Sequence, residues 1–252
     1  MKVRKRIDRL DLELSRLEKL HVQDAAKLLN VSEMTVRRDL RQRDAGDPML
    51  VGGYIVADPA RHQGKSYLVT EAGTHNKEVK QSLAEYCVTM VSDGQTLFLD
   101  CGSTTEEIAH LIPDDISVTV ICNALNIVLR LCHKKNCKIY MTGGEFNSDN
   151  LLFNSAGSSI LDDFRPDLAF ISTAGIDIEH GVTCHNISEV SDKRKALKSA
   201  QQKVLVCDSS KLGHAATAYI AEIDDFDILV TNHIADNKLA ETLKKHIHTL
   251  EI

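Results

Sequence analysis

The stretch Asp100-Cys101-Gly102-Ser103-Thr104-Thr105 follows an apolar run and precedes a helical one, so it offers a glycine, three hydroxyls and the free N–H groups of a helix start. That set suits a dianionic phosphate, because the donors converge where no bulky Cβ intervenes. A plain capped turn would use the same residues. Four more loops follow strand-like runs: Cys122-Asn123-Ala124, Thr142-Gly143-Gly144-Glu145, Thr173-Ala174-Gly175-Ile176-Asp177 and Asp208-Ser209-Ser210-Lys211. Asn123 offers a donor and an acceptor to a sugar hydroxyl. Gly143, Gly144 and Gly175 allow close backbone approach, and Lys211 brings a charge for a phosphate. Each loop alone is generic, but five on one sheet edge form a candidate ligand site. Asp100, Glu145, Asp177 and Glu189 could each supply the carboxylate base that an isomerase needs.

A second constellation lies near the amino terminus. Ser32 is a good N-cap, and Glu33 suits the positive end of a helix running on to Leu40. Val36 and Leu40 are four apart and face a core, which leaves Thr35, Arg38 and Gln42 on the opposing stripe and Arg37 and Arg41 on a flank. Thr and Arg near such a helix start suit T-methyl groups and base edges in a major groove, and flanking arginines reach phosphates. On charge alone an ordinary solvated helix face would be the commoner case.

The elements that must position these residues are legible as periods. Ile7, Leu10, Leu14 and Leu17 share one face of a first helix whose other face carries Arg6, Arg9, Glu13 and Arg16. A short helix over 23–29 and a tight turn at Asn30 and Val31 precede the capped helix. That order makes a helix-turn-helix, and Pro48–Val56, two short apolar strands about Gly52-Gly53, adds a wing. Residues 57–75 lack a sustained period and read as a linker. From Asn76 onward, Val79, Leu83, Cys87 and Met90 recur at helical spacing. The apolar runs 96–99, 118–121, 138–141, 168–171, 203–206 and 228–230 then alternate with helical stretches, which predicts an α/β domain with a mostly parallel sheet.

Bulk composition agrees with two folded domains in 252 residues: 43% hydrophobic and 26% charged residues can bury a core without disulfides. Residues 1–57 carry 12 Lys and Arg against 9 Asp and Glu, and the remainder 18 against 27, so the net charge of -6 divides into +3 and -9. A cationic head on an anionic body meets phosphates in one orientation. The 7 cysteines are odd in number and lack a C-x-x-C pair, which predicts reduced core thiols. No signal peptide or membrane span is apparent, so a cytoplasmic protein is expected. Among the 11 histidines, His180, His185, His246 and His248 have no partner at ligand spacing, so no metal is expected. Without a nucleotide-binding glycine motif, no cofactor is expected either.

The string Ser32-Glu33-Met34-Thr35-Val36-Arg37-Arg38-Asp39-Leu40, followed by Gly52-Gly53, resembles the signature of the DeoR family of bacterial repressors. Leu50 and Val51 stand where family members often carry a basic residue, so the likeness does not extend to wing contacts with phosphate. The apolar wing is similar to that of members governing deoxyribonucleoside genes. The resemblance implies a winged helix-turn-helix over 1–57, a linker over 58–75, and an effector domain over 76–252 similar in fold to sugar-phosphate isomerases. It implies that Ser32, Thr35, Arg37, Arg38, Arg41 and Gln42 meet operator DNA. It further implies that Gly102, Ser103, Thr104 and Thr105 bind a phosphate, that Asn123, Gly143, Gly144 and Glu145 line a sugar pocket, and that Glu189 and Lys193 reach the same cleft. Glu189 and Lys193 are equally well explained as a surface helix pair worth about 0.3–0.5 kcal/mol. A homo-oligomeric, non-enzymatic repressor is implied, released by a sugar phosphate such as deoxyribose 5-phosphate. The isomerase or deaminase alternative lacks the acid-rich string that marks ribose-5-phosphate isomerases.

Overall fold

The computed structural model describes residues 3–14, 19–41, 47–56, 76–148, 150–154, 157 and 159–252. Arg16, Leu17, Gln42 and the expected linker lie outside the described residues. The chain divides into two units, Met1–Ser66 and Tyr67–Ile252.

In the first unit α1 (Val3–Leu14), α2 (Val22–Leu29) and α3 (Glu33–Arg41) pack around Leu10, Leu14, Val22, Ala25, Ala26, Leu29, Val36 and Leu40. Ala25 and Ala26 are small, which lets α3 approach α2. Asn30, at φ 52°, ends α2 in the left-handed conformation that asparagine tolerates. The wing is β2 (Met49–Val51) and β3 (Tyr54–Val56), joined by Gly52 and Gly53 at φ 56° and 89°. Two consecutive positive φ values are what a two-residue hairpin with the right-handed strand twist demands. A further strand, β1 (Lys19–His21), pairs antiparallel with β3, giving the order β1-β3-β2.

Arg6 departs from the expected solvent face of α1. It is buried and holds Asp39 of α3 through two bonds, Nε to Oδ2 at 2.6 Å and an Nη to Oδ1 at 2.9 Å. The reason is packing: an acid on the inward face of α3 needs a partner, and the arginine fork on α1 reaches it.

The second unit contains a seven-stranded sheet in the order β15-β14-β12-β9-β4-β5-β6, parallel throughout. Its strands are β4 (Thr96–Leu99), β5 (Val118–Cys122), β6 (Cys137–Met141), β9 (Leu168–Ser172), β12 (Gln202–Val206), β14 (Ile228–Thr231) and β15 (His248–Glu251). Side chains alternate between two cores. Leu97 and Leu99 pack with α4 (Lys77–Val88), α5 (Ser103–Leu111) and α6 (Leu125–Leu131) on one face. Phe98, between them, points to the other face with α7 (Val190–Ser199) and α8 (Asn237–His246). Two smaller antiparallel sheets decorate the edge: β7 (Glu145–Asn147) with β8 (Leu152–Asn154), and β10 (Gly175–Asp177), β11 (Gly181–Cys184) and β13 (Ala218–Ala221). The sequence reading missed these and also β15, which it took as the exit of the last helix. Among the described residues no helix is long and apolar enough to cross a membrane.

Candidate functional site

Parallel strands end on the same side of their sheet, so the loops after β4, β5, β6, β9 and β12 necessarily share one edge. At the end of β4, Asp100 is fully buried and its carboxylate is held from three directions. It accepts from the Ser172 N–H at 2.8 Å and the Ser172 hydroxyl at 3.0 Å, and it binds the Lys193 ammonium. Lys193 also donates to the Ser172 carbonyl at 2.9 Å and lies 3.6 Å from Glu189. Burial raises the Asp100 carboxyl while Lys193 holds it down, and Asp100 keeps the buried ammonium well above its ordinary value. The pair thus ties β4, β9 and α7 together beneath the loop.

Lys193 is therefore not the surface partner of Glu189 that the spacing alone allowed. Both are buried, because α7 crosses the sheet edge rather than lying in solvent. Asn150 donates to Glu189 at 3.3 Å.

Above this strut Gly102 enters α5. A Cβ there would collide with the Ser172 side chain, so glycine is required by packing alone. The Thr105 hydroxyl donates to the carbonyls of Asp100 at 2.9 Å and Gly102 at 3.0 Å, locking the turn. Ser103 and Thr104, in the first turn of α5, make no side-chain hydrogen bond among the described residues, and the first N–H groups of a helix have no acceptor within it. The loop thus divides into a locked half, Asp100 and Thr105, and a half with donors to spare, Ser103 and Thr104.

Asn123 follows β5, fully buried, and Gly143 and Gly144 turn the chain after β6 at φ 74° and 112°. Glu145 is exposed at the start of β7. Gly175 begins β10, and a Cβ there would strike the His214 carbonyl, so close backbone packing accounts for it without a ligand. Lys211 is half-buried in a short 3-10 turn after β12. Its charge acts on Lys80 of α4, which burial, first, and Lys211 both lower. Ser172, Asn150 and Asp192 join the edge without having been singled out, beside Thr142 of the loop after β6. The signal for Asp192 was its helical spacing from Ala196 of α7 and from Glu189 just before it.

Five of the thiols are buried core residues, whereas Cys132 is exposed and Cys137 half-buried; burial pushes Cys87, Cys122 and Cys184 up to about 12. Among the described residues no three His, Cys, Asp or Glu side chains gather as a metal-binding group would need.

In the first unit, the Ser32 side chain caps α3 by accepting from the Thr35 N–H at 3.2 Å, and its hydroxyl lies 2.9 Å from that of Thr35. Thr35 and Arg37 are half-buried, while Arg38, Arg41 and Met34 are exposed. Val51 and Tyr54 are exposed on the wing. Lys19 of β1 stands 5.3 Å from the Tyr54 ring, which brings a cation to a wing whose own strands have none.

The model of the DeoR-like helix-turn-helix domain matches residues 6–59, and that of the DeoR C terminal sensor domain matches residues 75–233. The chain is 41% identical over 228 residues to the deoxyribose operon repressor of Escherichia coli strain K12, covering 90% of this chain and 89% of that one. It is 28% identical over 237 residues to the HTH-type transcriptional repressor GlcR of Bacillus subtilis strain 168, covering 92% and 90%. Among solved structures, ribose 5-phosphate isomerase A from Methanocaldococcus jannaschii gives a TM-score of 0.39 at 16% identity, over 54% of this chain and 55% of that chain.

Proposed function

We propose, given that the chain belongs to the DeoR family of transcriptional regulators, that it represses deoxyribonucleoside or related sugar-catabolic genes and leaves its operator when a sugar phosphate binds the second unit. Deoxyribose 5-phosphate is our choice of inducer, favoured by the name of the E. coli relative. The working division is a DNA-binding head over 1–57, a linker over 58–75 and an effector domain over 76–252, in line with the spans of the two family models. The repressor acts in the cytoplasm as a homo-oligomer whose paired heads read repeated half-sites.

In the head, Arg38 and Thr35 meet base edges, Ser32 fixes the start of α3, and Arg37, Arg41 and Gln42 meet phosphates or neighbouring bases. In the effector domain the observation that carries the reading is the first turn of α5. Among the described residues the Ser103 and Thr104 hydroxyls have no partner and stand beside free N–H groups, which suits them to receive a phosphate. Lys211 adds charge, and Asn123 with the Gly143–Glu145 turn faces the sugar. Asp100 and Lys193, paired and buried beneath the loop, hold it in place for the ligand.

Release requires that the inducer bind one conformation better than the other. In gel-shift titrations with deoxyribose 5-phosphate, Arg38→Ala is expected to lose operator binding by at least tenfold, one good base contact being worth about 1–3 kcal/mol, while binding inducer as the parent does. Thr104→Ala is expected to bind operator normally and to stay bound at inducer concentrations that release the parent. If both variants behave as the parent does, this assignment of sites fails.

A further inference from the structure

Beyond the phosphate loop, at the ends of β5 and β6, the sheet edge holds a second group of buried polar atoms that find no partner among the described residues. Asp192 and Lys193 are consecutive on α7 and both buried, yet they turn to different partners. Lys193 takes Asp100 and Ser172 at the ends of β4 and β9. Asp192, 1% exposed, finds no hydrogen-bond partner for either carboxylate oxygen among the described residues. Burial raises its pKa; Asn123 and Thr142 lie near enough to pull part of the way back, yet neither closes a bond of ordinary geometry. Both amide atoms of Asn123 and the Thr142 hydroxyl are themselves without partners among the described residues.

The β7–β8 hairpin adds to this group. The Phe153 N–H donates to the Asn123 carbonyl at 2.7 Å and the Leu125 N–H to the Leu151 carbonyl at 2.8 Å, which anchors the hairpin at the end of β5. The Oδ1 atoms of Asn150 and Asn154 are likewise buried and, among the described residues, unpartnered. A buried polar group without a partner costs about 1–3 kcal/mol, and a charged one more. Several such atoms drawn from α7, β5, the turn after β6 and the hairpin are a cost that a ligand can relieve.

The chemistry of the group selects that ligand. Carboxylate and amide oxygens accept hydrogen bonds, so the complement is a donor, and the carboxylate repels a phosphate. Strands in a sheet lie roughly 5 Å apart. The ends of β5 and β6 are therefore one and two strand spacings from the phosphate loop at the end of β4, a separation that suits the two ends of a short sugar phosphate. We propose that Asp192 is the specificity residue of the sensor, its carboxylate accepting hydrogen bonds from a sugar hydroxyl remote from the phosphate, with Asn123 and Thr142 completing the contact. This rests on the sugar-phosphate reading above.

The test is calorimetric titration of the full chain with deoxyribose 5-phosphate and, separately, with its analogue lacking the anomeric hydroxyl, using the parent, Asp192→Ala and Asp192→Asn. The parent should bind deoxyribose 5-phosphate tightly and the analogue 10- to 100-fold less tightly, about what one charge-assisted hydrogen bond supports. Asp192→Ala should lose affinity for the full sugar phosphate by a similar factor and bind both ligands alike. Equal affinity of parent and Asp192→Ala for deoxyribose 5-phosphate overturns the role of Asp192 and leaves the sugar-phosphate reading standing. Failure of the parent to bind either compound overturns both. Melting without ligand separates a structural role: Asp192→Asn, relieved of an unpaired buried charge, should melt no lower than the parent. A fall of several degrees would mark Asp192 as a structural partner of Asn123 and Thr142, against the proposal.

Discussion

Lys193 illustrates how one buried charge can organise a loop it does not enter. Its ammonium joins the Asp100 carboxylate and the Ser172 carbonyl, fixing the ends of β4 and β9 relative to α7. Removing one partner of a buried ion pair leaves the other uncompensated, which costs about 3–5 kcal/mol, whereas replacing both with apolar groups is often tolerated. Lys193→Met is therefore expected to lower the urea unfolding midpoint strongly, and Lys193→Met with Asp100→Asn to recover part of the loss. The pH dependence has a definite sign. Burial already raises the Asp100 carboxyl and Lys193 is the main force opposing it, so without Lys193 its folded pKa rises further above the unfolded value. A raised carboxyl is fully stabilising below its unfolded pKa, and that contribution is lost as pH rises through the folded value. The single variant should accordingly be weaker at pH 8 than at pH 5, by comparison with the parent, and equal losses at the two pH values would count against a buried Asp100. None of this was legible from the four-residue spacing of Glu189 and Lys193, because spacing gives a helix face but not whether that face meets solvent or a sheet edge. The same limit hid Arg6 and Asp192.

The elements that could be read were those whose burial repeats along the chain. Each of the six apolar runs became a strand of the parallel sheet within a residue or so, because a strand covered on both faces is apolar at nearly every position. β1, β7, β8, β10, β11 and β13 are only three or four residues long, several of them half-exposed, and leave no such trace. β15 is half-exposed and follows α8 after a single residue, so its sequence reads as the helix end. The helix-turn-helix was legible through its cap and its Val36–Leu40 pair, but what holds α3 in place was not. Asp39 lies within the most recognisable string of the chain, yet it is 2% exposed and bound to Arg6 of α1, so it cannot reach a duplex as placed. Its service is to orient the helix that carries Arg38 and Arg41. Asp39→Ala removes both bonds by which Arg6 of α1 holds α3. Operator affinity should fall at least tenfold in a gel shift, although no DNA contact has been removed, and inducer affinity should stay at the parental value. Undiminished operator binding by this variant would show that the Arg6–Asp39 pair does not set the position of α3.

At the scale of the molecule, the division of charge separates the two tasks. The first 57 residues carry +3 and the rest -9, so phosphate backbone contacts belong to the head, and operator affinity should fall steeply with added salt as counterions are released. On the proposed site a single sugar phosphate would bind through a few neutral donors and one lysine, so its affinity should respond to salt far less. The two sites must nonetheless communicate, and thermodynamics fixes how. If saturating inducer weakens operator binding by some factor, saturating operator must weaken inducer binding by the same factor, and such couplings usually fall at about 5- to 150-fold. Measuring deoxyribose 5-phosphate affinity with and without operator, and operator affinity with and without deoxyribose 5-phosphate, gives both sides of the cycle at one salt concentration. Thr104→Ala should shrink the effect of a fixed inducer concentration by weakening inducer binding, and it should restore full release when enough inducer is added. An inducer affinity indifferent to operator would mean that the sugar phosphate does not distinguish the two conformations, and a ligand of that kind cannot be what releases the repressor.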